Sequence, residues 1–226
     1  MRDQFILTQH FQKFQALIDE LLSHQLGLEM AVVLGQAGRG KTTAARRIVT
    51  MNSRVIHVSY VGWLSHAGII REICFAAAGS RPRATQACFD LLERSLNESR
   101  RVIMVDEADR MSLRHLNILR DLHDRCCVPI VLIGEEPLKG KLAQERRLIS
   151  RTSQELVFQR VAAIDVIQFY RNNLGQDISG GIATDLARHS QGDFRLVVKD
   201  ALRIERTMKA SGLAQISEDL VREICK

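Results

Sequence analysis

The chain has 226 residues and is poor in the features that mark several protein classes. It holds only three prolines, Pro82, Pro129 and Pro137, and no low-complexity stretch. A Pro-rich linker or repeat array is therefore not expected. Apolar runs are short, the longest candidates resembling Val128–Gly134. They fall well below the ~18–20 residues of a membrane span, so no membrane partner is expected. The first residues, Met-Arg-Asp-Gln-Phe-Ile-Leu, lack the apolar stretch and cleavage site of a secretory leader. The five cysteines, Cys74, Cys88, Cys126, Cys127 and Cys225, form no CxxC pair and are odd in number. That argues against a disulfide framework or a zinc knuckle, and for buried free thiols in a reducing, cytoplasmic compartment. The histidines show no HxxxH or HExxH spacing, and tryptophan occurs once, at position 63.

What is present is ordinary for a globular chain: 46% hydrophobic and 26% charged residues. The net charge is +6, and 25 of the 32 basic residues are arginine. Residues 1–163 carry 23 basic and 17 acidic side chains, and residues 164–226 carry nine of each. The whole surplus thus lies in the first part. Arginine forks match phosphate oxygens, so a polyanionic partner is one reading and a soluble basic surface the other.

Short apolar runs alternate with helical periodicity. Strands are expected at 30–34, 55–60, 101–105, 129–133 and 155–158, and helices at 11–22, 41–51, 66–78, 84–98 and 112–125. Strands buried on both sides and separated by helices imply an α/β fold with a parallel sheet. After residue 163 the strands stop. Segments 164–174, 180–190, 193–210 and 217–225 read as helices, with breaks at Gly175, Gly192 and Gly212 and with Asp193 as a cap. The expected division is an α/β domain at 1–163 and a small all-helical lid at 164–226.

Gly35-Gln36-Ala37-Gly38-Arg39-Gly40-Lys41-Thr42 matches GxxxxGK[ST] and stands between an expected strand and an expected helix. Glycines let successive N–H groups turn toward phosphate oxygens, and the helix N-terminus adds partial positive charge. Residues 35–42 and Thr43 are accordingly read as an ATP phosphate site. Lys41 faces the terminal phosphates and Thr42 faces Mg²⁺. Sixty-five residues after Lys41, the run Arg101–Val105 delivers Asp106 and Glu107. Asp106 suits the metal, and Glu107 suits orienting and deprotonating water. The acidic pair argues against a small-molecule kinase.

With both motifs in place, the chain resembles the AAA+ ATPases over nearly its whole length from residue 28. Three further stretches carry the resemblance. Gly134-Glu135-Glu136 ends the fourth strand where that family keeps a γ-phosphate sensor, a role implied for Glu135 or Glu136. Arg146-Arg147-Leu-Ile-Ser-Arg151 lies where the family has an arginine finger acting in trans, with Arg151 first and Arg147 second. Gly192-Asp193-Phe194-Arg195 resembles the lid's second sensor, with Arg195 touching the nucleotide. The stretches 105–109, 119–124 and 131–138 are similar to the bacterial DNA-transposition group.

That resemblance implies an ATPase that forms a homo-oligomer or filament on duplex DNA with weak sequence preference and serves a transposase. A secretion or signalling ATPase acting on a protein partner is the alternative. A carboxylate at the sensor position departs from the family's usual asparagine, and it repels phosphate unless protonated or paired. About 28 residues precede the first strand, so DNA binding is expected to use the ATPase domain. The candidate contacts are Trp63, Arg81, Arg83, Lys139 and Lys141. Trp63, flanked by Gly62, either stacks on DNA or covers a core edge.

Overall fold

Five short runs rich in Val, Ile and Leu form the strands of one sheet. They are β1 (Met30–Leu34), β2 (Val55–Ser59), β3 (Val102–Asp106), β4 (Ile130–Gly134) and β5 (Thr152–Val157). The computed structural model describes residues 5–23 and 30–225. The strand order is β2-β3-β4-β1-β5 and every pairing is parallel. Each residue of β1, β3 and β4 is buried, as required when helices cover both faces. The edge strand β5 is less buried and alternates in exposure over its first residues.

Helices fill the crossovers. Helix α1 (Gln9–Ser23) precedes β1, and α2 (Lys41–Met51) follows it directly. Helices α3 (His66–Ala78) and α4 (Thr85–Glu98) join β2 to β3. A 3₁₀ turn (Ala108–Arg110) and α5 (Leu113–Cys126) join β3 to β4. Helices α6 (Pro137–Ala143) and α7 (Arg146–Ile149) join β4 to β5. These last two were not expected: seven and four residues are too few to display a helical period.

The chain divides into two compact units. One comprises residues 10–23, 30–36 and 41–158, and the other residues 5–9, 37–40 and 159–225. The larger unit has a core of sheet residues such as Val32, Ile103 and Leu132 packed with Ile70, Leu92, Leu116 and Leu119. Each such side chain stabilises by roughly 1.5–3 kcal/mol on leaving water.

In the smaller unit, α8 (Ala163–Phe169), α9 (Gly180–His189), α10 (Phe194–Ser211) and α11 (Glu218–Ile224) surround Val166, Leu186, Val197 and Ile204. Residues 164–174 do not form the single α-helix expected. The chain widens into a π-helical turn over Tyr170–Leu174, ending at Gly175. Val166, Phe169, Tyr170 and Asn173 nevertheless form one buried stripe at helical spacing. Cys74, Cys88 and Cys126 are free and buried, whereas Cys127 is free but exposed. It ends α5 in a left-handed conformation that turns its side chain away from the core.

Candidate functional site

The parallel register sets the C-terminal strand ends side by side. Leu34 pairs with Gly134, and Ser59 with Asp106. Ligands of open α/β sheets bind beyond these carboxyl ends, where strand order reverses. The phosphate loop leaves β1 there and Asp106 closes β3.

Lys41 opens α2 with only 9% of its surface exposed. Its ammonium donates to the carbonyls of Gly35 (2.5 Å) and Gln36 (3.0 Å). Burial lowers its pKa, and the carboxylates of Glu135, Asp106, Asp109 and Glu107 only partly oppose the shift. Glu135, the residue expected to sense phosphate, is the foremost of these. Glu136 is exposed at the start of α6. Thr42 is half-buried and near the Asp106 carboxylate, whose charged form its hydroxyl favours. Thr43, Gln36 and Ala37 are exposed.

Asp106 is 3% exposed, and its Oδ1 accepts the Glu107 N–H at 2.9 Å. Burial raises its pKa, but the His57 ring, the Thr42 hydroxyl and the Glu107 N–H outweigh burial and hold the carboxyl below its usual range. The His57 contact, Nε2 to Oδ2, is 3.7 Å long. It is electrostatic attraction and not a formed hydrogen bond. Glu107 adopts a left-handed backbone (φ 59°), uncommon for a residue with a side chain. Its carboxylate is half exposed and lies 3.9 Å from Arg110.

Asp109 had no sequence signal of a role, yet it organises the β4 exit. Its Oδ1 accepts the Glu135 N–H at 3.1 Å. A Cβ on Gly134 would lie 2.7 Å from that oxygen, so only glycine admits the approach. Lys141, expected to face DNA, donates to the carbonyls of Asp109 (2.5 Å) and Met111 (2.7 Å). Contacts from a lysine 30 and 32 positions away could not be read from the chain.

The other expected cations are also partly engaged. Lys139 pairs with Glu155 at 2.9 Å. Arg81 pairs with Glu72 at 2.7 Å and covers the Phe75 ring. Arg83 is exposed, and its carbonyl accepts from Arg71. Arg151 donates to Asp124 (2.5 Å) and to the carbonyl of Arg147, whose side chain is exposed.

Trp63 is 83% exposed, which removes the reading that it covers a core edge. Its loop is fastened to the segment that begins at Asp106. The Tyr60 N–H donates to the Asp106 carbonyl at 2.9 Å. The Leu64 carbonyl lies 3.0 Å from His115 Nε2, and the Ser112 hydroxyl lies 2.8 Å from Nδ1. Burial first, and then the nearby His66, lower the pKa of His115, although the bond to Leu64 resists. The neutral ring, protonated on Nε2, satisfies both contacts.

The smaller unit contains the tip of the phosphate loop, residues 37–40. Phe194 N–H donates to the Gly38 carbonyl at 2.9 Å, and Arg39 donates to the Gln191 carbonyl at 2.9 Å. Gly38 has φ 77°, and the Asp193 carboxylate fills the place of its missing Cβ. Asp193 caps α10 by accepting the Arg195 N–H, and the Arg195 side chain is exposed.

Among the described residues, no helix is long and apolar enough to cross a membrane. A protein of Staphylococcus aureus, described as a potential ATP-binding protein, is 23% identical over 256 aligned positions. The alignment covers 96% of this chain and 93% of that protein. The ATP-dependent target DNA activator B of Escherichia phage Mu is 26% identical over 145 residues, 61% of this chain. The match spans 46% of that relative, somewhat less than half its length. Among solved structures, Cdc6p from Pyrobaculum aerophilum has the same fold, with a TM-score of 0.74 at 17% identity. That likeness covers 99% of this chain and 69% of the other. The AAA domain family matches residues 27–142, just over half of the chain. With the phosphate loop on β1, the acidic end of β3 and the five-stranded parallel order, the chain belongs to the AAA+ family of P-loop nucleoside triphosphatases.

Proposed function

We propose that this chain is a DNA-binding AAA+ ATPase that assembles with copies of itself on duplex DNA and delivers target DNA to a transposase. In this reading residues 1–163 form the nucleotide-binding domain and 164–226 the lid. One observation carries the ATPase part: Lys41, Thr42, Asp106 and Glu107 gather at the ends of β1 and β3. The loop N–H groups and Lys41 hold the phosphates. Binding exchanges the Gly35 and Gln36 carbonyls for phosphate oxygens as partners of the ammonium.

Thr42 and Asp106 are neighbouring hard oxygen donors, a set that fits Mg²⁺, which keeps several waters and phosphate oxygens as ligands. When bound, Mg²⁺ supplies charge neutralisation on the phosphates. Glu107 orients the attacking water and takes its proton. Arg151 acts on the neighbouring subunit's nucleotide, with Arg147 as second choice, and Arg195 acts from the lid. An arginine supplied in trans makes hydrolysis depend on assembly.

The DNA part is supported by the exposed Trp63 on a loop tied to Asp106, and by the charge surplus of the first 163 residues. The similarity to the phage Mu target DNA activator supports it too. Trp63 offers a stacking or wedging surface, and Arg83, with Arg81, Lys139 and Lys141 in secondary roles, neutralises phosphate. Binding of this kind reads the backbone and has little sequence preference.

The test is ATP hydrolysis and assembly measured with and without duplex DNA, followed by a salt series. The expected result is DNA-stimulated hydrolysis and an affinity that falls steeply with salt. Absence of DNA binding at low salt with ATP overturns the DNA part. DNA-independent activity with a captured protein partner would instead assign the chain to the secretion or signalling type.

A further inference from the structure

His57 lies on β2 beside β3, in register with Met104 and two residues before the Ser59–Asp106 pair. Its side chain is only 12% exposed. Its Nε2 is buried and makes no hydrogen bond. The Asp106 Oδ2 stands 3.7 Å away. A buried polar nitrogen is rarely left unsatisfied without a reason, and this one is aimed at the carboxylate assigned to the metal.

The partners of Asp106 supply the reason. Oδ1 is held by the Glu107 N–H, and the His57 Nε2 faces the other oxygen, Oδ2. In the ATP-loaded protein proposed above, on which this inference rests, one oxygen of the carboxylate would face the metal, and a donor on the other oxygen would hold its orientation. His57 is within one ångström of hydrogen-bond distance, so a small rotation of the carboxylate makes the bond.

We infer that His57 is a positioning residue. It holds the Asp106 carboxylate from behind, so that one oxygen would be free to face Mg²⁺. Partners behind metal ligands orient those ligands, and their loss typically costs about 10–100-fold in metal affinity or activity.

The test is a Mg²⁺ titration of fluorescent ATP binding to the full chain, with a parallel measurement in EDTA. Three variants are compared: H57L, H57N and H57Q. Glutamine places its amide nitrogen at about the reach of Nε2, whereas asparagine is too short and leucine has no donor. In H57L and H57N the Mg²⁺ midpoint is expected to rise about 10-fold. Affinity in EDTA should stay within about twofold, because the metal-free state does not use the bond. H57Q should recover most of the loss.

Thermal melts show which variants fold, and the asparagine–glutamine contrast stands if leucine is not tolerated. Unchanged midpoints in H57N and H57L overturn the proposal. An equal loss in EDTA also overturns it, because His57 then merely supports the fold. If the wild type binds no nucleotide at any Mg²⁺ concentration, the ATP reading itself falls and this inference with it.

Discussion

Glu107 and Lys41 stand at the same end of the sheet but differ in what their loss should do. Lys41 is buried and donates to the loop carbonyls, at the place where phosphate is proposed to bind. Lys41→Ala is expected to abolish detectable nucleotide binding in equilibrium dialysis. Glu107 is half exposed and makes only a 3.9 Å contact with Arg110. Glu107→Gln should therefore keep ATP binding and assembly while slowing hydrolysis about 100-fold or more, the usual weight of a positioned base. Normal turnover in that variant would show that another group activates the water.

His115 makes a different residue-scale prediction. Burial holds its pKa below the ordinary 6.5, so the folded chain resists a proton that the unfolded chain accepts. The sign follows from that. Stability is complete above the unfolded value and falls as the pH drops below it, until the folded histidine also titrates. The melting temperature should decline between about pH 7 and 5.5, before carboxylates titrate. His115→Asn should flatten that part of the curve. An identical slope in the variant would assign the decline to other histidines.

At the scale of elements, the phosphate loop and the start of α10 interlock within the smaller unit. Gly38 is needed twice, for its φ of 77° and for the Asp193 carboxylate seated where a Cβ would be. Gly38→Ala should destabilise the chain by more than about 1 kcal/mol in chemical denaturation, from backbone strain alone. Asp193→Ala removes the α10 cap, at a cost of about 1 kcal/mol. The double variant should cost less than the sum, because the second change clears the space that the first one needs. Additive costs would mean that Gly38 answers to its backbone angle only.

Most elements were legible in the sequence because burial period and chain order agree. Strands β1, β3 and β4 are runs buried on both faces, and α1 places Phe11, Phe14, Leu17, Ile18, Leu21 and Leu22 on one stripe. Helices α6 and α7 and the π-helical turn at Tyr170 were not legible. The first two are too short for a period, and the last leaves no mark in the apolar pattern, because Val166, Phe169 and Tyr170 fit an ordinary helical stripe.

For the whole molecule, the arginine proposed to act in trans is stored on an intramolecular partner. Arg151 and Asp124 are each about one-third exposed, and an ion pair so placed contributes roughly 0–1 kcal/mol. A neighbouring subunit's phosphate, far more highly charged, can displace it. Arg151→Ala is expected to cut hydrolysis by about 100-fold or more while leaving the nucleotide affinity of the isolated subunit unchanged. In mixtures with the Glu107→Gln chain, part of the activity should return. The Glu107→Gln subunit supplies the arginine, and the Arg151→Ala subunit supplies the base. No recovery at any ratio would move the role to Arg147 or remove it.

The charge surplus also changes meaning at this scale. The +6 lies entirely in residues 1–163, but Lys41 serves the phosphate loop, Lys141 two carbonyls, Lys139 Glu155 and Arg81 Glu72. The cations left for DNA are fewer than the count suggests. Trp63, the most exposed large hydrophobic side chain among the described residues, is the more specific feature.

The sequence by itself determined the fold class, the phosphate loop and the acidic pair after β3. Each of these is written in contiguous residues whose spacing alone imposes strand, loop or helix. Only the tertiary structure decided that His57 stands behind Asp106, that Asp109 and Lys141 hold the β4 exit, and that Trp63 faces water. Those contacts join residues tens of positions apart, and parallel register and close packing bring them within a few ångströms.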